Sequence, residues 1–175
     1  MRTLIISIFT SVIVIAVAYS LLSSGSTGAS VGSDHKLVWH SFNEGLEQSS
    51  KQNKMVLVDV YTDWCGWCKK MDKEVYTDEK VVAIISEKFV VVKLDAESSE
   101  KLRYDGKEFT EQEFARAIGV DGYPTTIFFQ PDAQPITRVP GYMEARMFAN
   151  VLNYIGGEHY KTISYEDFLL KQSSN

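Results

Sequence analysis

The sequence predicts an α/β domain, and three observations carry that reading. Met55 to Tyr61 and Phe89 to Leu94 are short apolar runs rich in valine. Between them Val75, Val82, Ile85 and Phe89 fall at helical spacing, the pattern of a parallel β-α-β unit whose strands are covered on both faces. Thr125 to Phe129 and Ile136 to Val139 are separated by the turn residues Gln130, Pro131 and Asp132, which marks an antiparallel pair. Glu144 to Ile155 places Met147, Phe148, Val151, Leu152 and Ile155 on one helical face and is stopped by Gly156 and Gly157.

The remaining elements follow in chain order. Arg2 precedes the uncharged, apolar stretch Leu4 to Leu22, and small residues follow it, with Thr27 and Ala29 at a cleavage site. This is the pattern of a secretory signal peptide. The stretch is also long enough for an uncleaved membrane anchor on a Ser/Gly tether, and both readings predict translocation. Residues 1–29 are therefore a signal peptide or N-terminal anchor, 30–36 a linker, 37–160 the folded domain and 161–175 a C-terminal extension. Ser41 with Glu44 forms a capping-box pattern for a helix ending near Asn53, and Thr110 with Glu113 starts another. Ser164 to Lys171 reads as a short closing helix. Ser98 to Phe109 reads as an insertion, either a client-contact loop or a solvated excursion.

Composition narrows the function. With 45% hydrophobic and 23% charged residues the 175-residue chain can bury a core, and one domain is the default. A formal net charge of -5 disfavours a nucleic-acid role that depends on neutralising phosphates. Two cysteines cannot build a multi-bridge scaffold or a four-cysteine zinc site.

Those two cysteines stand in Trp64-Cys65-Gly66-Trp67-Cys68, directly after the Met55 to Tyr61 run and before a helical segment. At the N-terminus of a helix, unpaired N–H groups and the macrodipole stabilise a thiolate, so Cys65 is the expected nucleophile. Cys68, one turn on, can attack a mixed disulfide and release the client. A structural disulfide would close too small a loop to restrict the unfolded chain much. His35, His40 and His159 show no paired zinc-ligand spacing, and position 69 is Lys where haem attachment needs His. The chemistry calls for no metal or organic cofactor.

Asp59 lies in the middle of the strand that delivers the motif. If that strand is covered on both faces, desolvation raises the carboxyl pKa, and Asp59 becomes a base for the Cys68 proton. The competing reading is an Asp on a partly exposed strand. Lys93 either pairs with Asp59 across adjacent strands or snorkels to solvent. Lys69 and Lys70 add positive charge in solvent. Gly122-Tyr123-Pro124-Thr125 enters the next strand through a tight turn.

In this order and spacing, Val56-Leu57-Val58-Asp59, Trp64-Cys65-Gly66-Trp67-Cys68-Lys69, Val92-Lys93-Leu94 and Gly122-Tyr123-Pro124-Thr125 resemble the thioredoxin superfamily over roughly Trp39 to Ile155. The resemblance implies a thioredoxin-like fold, a central mixed β-sheet flanked by helices on both faces. It implies Cys65 as exposed nucleophile, Cys68 as resolving thiol, Asp59 with Lys93 as the buried acid-base pair, and a cis bond before Pro124. The backbone at Tyr123 would hold a client strand, with Trp64, Gly66, Trp67, Tyr123 and Pro124 contacting substrate. Trp67 stands where thioredoxin itself carries proline, so the reduction potential does not carry over.

The expected function is that of an extracytoplasmic thiol-disulfide oxidoreductase of the periplasm or cell envelope, probing protein thiols and disulfides, with reduction as the favoured direction. In an oxidising compartment, reduction needs a partner such as a membrane electron donor, and residues 4–22 offer membrane attachment. Oxidase or isomerase activity on the same fold, or a non-catalytic client-binding module, are the competing readings.

Overall fold

The computed structural model describes residues 36–174. The expected export segment and all of the linker except Lys36 lie outside the described residues. Among the described residues no helix is long and apolar enough to cross a membrane.

The chain runs β1 (Trp39–His40), α1 (Phe42–Gln52), β2 (Met55–Tyr61), α2 (Gly66–Glu74), α3 (Glu79–Lys88), β3 (Phe89–Asp95), β4 (Lys101–Tyr104), β5 (Lys107–Thr110), α4 (Glu111–Ala117), β6 (Thr125–Phe129), β7 (Pro135–Pro140), α5 (Ala145–Gly156), a 3-10 turn (His159–Lys161) and α6 (Tyr165–Ser173). Five strands form one mixed sheet in the order β1-β3-β2-β6-β7. β1 and β2 lie parallel to β3, while β6 runs antiparallel to β2 and β7 antiparallel to β6.

Local chemistry sets the helix ends. Glu44 accepts from the backbone N–H and the hydroxyl of Ser41 to open α1, and Asn53 closes that helix at φ 52°. Thr110 and Glu113 cap α4 in the same reciprocal way. The single helical segment expected between the two valine-rich strands is two helices. Its periodicity runs through Val75, but the Asp78 carboxylate accepts from Lys80 and Val81 N–H and starts α3 afresh.

Alternation along β2 divides the core. Met55 and Leu57 face one side with Phe89, Val91 and Phe128, covered by α2, α3 and α5 through Met71, Val75, Ile85, Phe148 and Leu152. Val56, Val58 and Val60 face the other with Val92, Leu94, Ile127 and Phe129, covered by Phe42 of α1 and Phe114 of α4. A strand buried on both sides explains why β2 reads as an unbroken apolar run interrupted only by Asp59.

Two segments correct the expectations. Residues 98–109 are not an irregular excursion: β4 and β5 pair as a hairpin turned at Asp105 (φ 50°) and Gly106 (φ 71°). The Asp-Gly pair between the strands is the sequence signal for that turn, obscured by the charged residues around it. Leu102 seats the hairpin in the α1/α4 side of the core. The two-residue β1 was also missed, because two residues carry no period to read.

Gly45 yields a test of the packing. A Cβ there would stand 2.1 Å from Val92 Cγ2, so α1 rests directly on β3. Helix propensity alone favours Ala over Gly by about 1 kcal/mol. Gly45→Ala is nevertheless expected to destabilise the fold by about 1–3 kcal/mol through overpacking, read as a lower urea midpoint at unchanged m-value. A raised midpoint would contradict this packing.

Candidate active site

β2 ends at Tyr61, and the chain turns through Thr62 to deliver Cys65 as the N-cap of α2. Cys65 and Cys68 are joined as a disulfide with Cα atoms 5.3 Å apart. Cys65 Sγ accepts the Cys68 backbone N–H at 3.0 Å, and no acidic residue stands in the first turn of α2. Once reduced, a sulfur here meets the positive end of the helix and a donor already aimed at it, so the thiolate is favoured over the thiol.

The expectation of an exposed Cys65 needs correction. In the disulfide form Cys65 is 4% exposed and Cys68 2%, whereas Trp64 and Trp67 are 65% and 57% exposed. The bond turns the Cys65 sulfur toward its partner, and the motif shows solvent its flanking indoles and Gly66.

Asp59 sits on β2 directly opposite Lys93 of β3 and Thr126 of β6, almost fully buried. Lys93 Nζ donates to Asp59 Oδ2 at 2.5 Å, so pairing is favoured over snorkelling. The same ammonium also pairs with Asp72 of α2 and lies 4.6 Å from the Trp39 ring centroid. Burial drives the Asp59 carboxyl above its ordinary value, outweighing the attraction of Lys93. For Lys93 burial pulls downward, but the attraction and hydrogen bonds of Asp59 and Asp72 together hold it above the usual lysine value. Asp72, exposed at the helix surface, gives Lys93 a second carboxylate partner besides Asp59.

Asp59 Oδ1 makes no hydrogen bond to protein, and neither oxygen bonds a cysteine. The buried Tyr76 hydroxyl, also without a hydrogen-bond partner, is the polar group that faces this carboxyl from beside α2. Sequence reasoning missed Asp72, although its place four residues after Cys68 puts both on one face of α2.

The rest of the rim comes from three loops. The Tyr123–Pro124 peptide bond is cis, with Pro124 buried and Tyr123 half-buried. Tyr123 meets Trp64 edge-on at 5.9 Å, which brings the proline loop beside the motif. Trp64 Nε1 donates to Glu97 Oε1 at 3.0 Å. Trp67 packs on Tyr142 at 5.3 Å. Glu97 and Tyr142 carried no sequence signal, because their contacts arise only when the loops after β3 and β7 fold toward α2.

The family model for the thioredoxin-like domain matches residues 42–156, which take in the cysteine pair, Asp59, Lys93 and Pro124. The chain belongs to the thioredoxin-like family. Over 109 residues it is 32% identical to the thiol:disulfide interchange protein DsbD of Actinobacillus pleuropneumoniae, a match covering 61% of this chain and 17% of that protein. The chain thus aligns with about a sixth of that curated relative's length. A solution structure of a thioredoxin from Thermus thermophilus superposes with a TM-score of 0.57 at 26% identity, covering 69% of this chain and 87% of that one. A thioredoxin-fold protein from Helicobacter pylori superposes at 0.58 with 22% identity, covering 81% and 87%, and shows the shared fold. The mixed sheet with helices on both faces is therefore that of a thioredoxin-like domain.

Proposed function

We propose that this protein is an extracytoplasmic thiol-disulfide oxidoreductase that reduces protein disulfides through Cys65 and Cys68. The observation that carries the reading is the position of Cys65 as N-cap of α2, disulfide-bonded to a cysteine in the first turn. In the reduced protein the Cys65 thiolate attacks one sulfur of a client disulfide. A Cys65–client bond forms, the client S–S bond breaks, and the electron pair leaves on the second client sulfur. Cys68 then gives up its proton and attacks Cys65, which reforms the intramolecular disulfide and releases the first client sulfur as a thiol. Two electrons pass from the protein dithiol to the client.

Asp59 accepts the Cys68 proton in this scheme, and Lys93 with Asp72 fixes the charge around it. The client strand pairs with the backbone at Tyr123, between the Trp64 and Trp67 indoles, with Gly66 leaving room above the disulfide. The sequence from Arg2 to Leu22 supports export, whether as a cleaved signal peptide or a retained anchor. The similarity to a thiol:disulfide interchange protein supports thiol-disulfide exchange as the chemistry. Turnover outside the cytoplasm requires a dithiol donor, and one embedded in the membrane fits that compartment.

Cys68→Ser is expected to accumulate mixed disulfides with client proteins through Cys65. They should run as higher-mass bands that collapse on adding reductant. Recovery of the same partners by a Cys65→Ser, Cys68→Ser double variant would mean plain binding instead, and would count against exchange.

A further inference from the structure

We propose that Lys70, held between Trp67 and Tyr142 beside the redox pair, selects client segments that carry an acidic side chain next to the reactive cysteine. This rests on the oxidoreductase reading and states which clients that site prefers. Trp67 and Lys70 lie one turn apart on α2, and Tyr142 reaches them from the loop between β7 and α5. Lys70 Nζ is 5.2 Å from the Trp67 ring centroid and 4.8 Å from that of Tyr142. The Tyr142 hydroxyl donates to Glu74 Oε2 at 3.2 Å, and another turn of α2 places that carboxylate 3.8 Å from Lys70 Nζ.

Two consequences follow from this arrangement. A lysine normally loses much rotamer freedom when ordered, but the Trp67 and Tyr142 rings already restrict this one, so a client loses less on engaging it. Among the described residues Glu74 forms a long ion pair with this ammonium at 3.8 Å, beyond hydrogen-bond distance, so the N–H donors remain available to an incoming acid. Lys69 and Lys73 are exposed on the same short helix, so its three lysines outnumber its two acids, Asp72 and Glu74, in a chain of net charge -5. At the Trp64 end the charge is opposite, because Glu97 holds that indole. A client acid is therefore drawn to the Trp67 end and repelled from the Trp64 end. Tyr142 is a positioning residue, acting through Lys70 and Trp67.

The test uses the full chain, reduced and freed of reductant, in single-turnover reactions followed by tryptophan fluorescence. Substrates are two peptides that differ only in Asp or Lys beside a cysteine capped as a mixed disulfide with 2-mercaptoethanol. The protein dithiol becomes a disulfide while one peptide thiol and one mercaptoethanol are released, so no further donor is needed. The wild type is expected to react about two- to fivefold faster with the Asp peptide, the range of an exposed charge pair, with the advantage shrinking as salt rises. Lys70→Glu should reverse the preference, Lys70→Gln should erase it, and Tyr142→Ala should weaken it. Lys171→Glu, remote in sequence on α6, should retain it.

Exchange by the wild type without charge preference would overturn the selection alone. So would a preference that survives Lys70→Glu, or a Lys70→Glu effect that is uniform across peptides and follows a changed reduction potential. No exchange with either peptide would overturn the oxidoreductase reading and this selection with it.

Discussion

Cys65→Ser is expected to lower single-turnover reduction of a protein disulfide by at least about a thousandfold, the scale on which removing a nucleophile acts. Both cysteines are buried in the disulfide form, so exposure does not tell them apart. Position does. Cys65 stands outside the helix as its N-cap, and its sulfur receives the Cys68 N–H. Cys68 lies inside the first turn, above the buried Met71 and Val75 stripe. The dipole and the unpaired N–H groups therefore act on the first sulfur. Alkylation of the reduced protein across a pH series should show Cys65 reacting with an apparent pKa below the ordinary value of about 8.5, and Cys68 lagging. Equal, ordinary reactivity at both positions would remove the reason for assigning attack to Cys65.

Much of this site was legible in the sequence because short-range rules decide it. The Cys-Gly-Trp-Cys run after a valine-rich strand fixes a strand-to-helix turn, and a lone carboxylate within that apolar strand marks Asp59. The capping boxes at Ser41 and Thr110 mark helix starts within one residue of where they occur. What escaped depends on contacts distant in sequence. Asp72 becomes informative only once β3 brings Lys93 against α2, and Tyr142 only once its loop folds onto Trp67. The hairpin at residues 101–110 escaped for another reason: its strands are four residues long and carry charges, so the apolar alternation that identifies a strand is weak. The Asp105-Gly106 turn was the available signal, whereas the burial of Leu102 shows only in the fold.

Asp59→Asn is expected to slow the resolving attack by Cys68 on the order of a hundredfold, as loss of a positioned proton acceptor does, and to make the protein more stable at neutral pH. Both effects share one cause. Burial raises the Asp59 carboxyl in the folded state, while in the unfolded chain it ionises near the ordinary value of about 3.9. Between those two values the folded state binds the proton more tightly. The favourable contribution is therefore complete below the unfolded value, and it is lost as pH rises to and through the folded one. Above that range the wild type carries a buried carboxylate at a cost of about 1.4 kcal/mol for each unit separating the two values. Asparagine removes the titration, and Lys93 keeps Asp72 as its partner, so no buried cation is stranded. Lys93 has its own signature: its value is raised, so its contribution persists through neutral pH and is lost only as the solution becomes strongly alkaline. Urea unfolding of wild type and variant from about pH 4 to about pH 9 should give curves that separate as pH rises, with the variant more stable. Rapid-quench trapping should show the mixed disulfide persisting longer in the variant. Parallel stability curves together with unchanged decay of that intermediate would mean that Asp59 is a structural charge. The expected pairing, a slower but sturdier protein, identifies a carboxylate kept at the expense of stability for the proton it accepts.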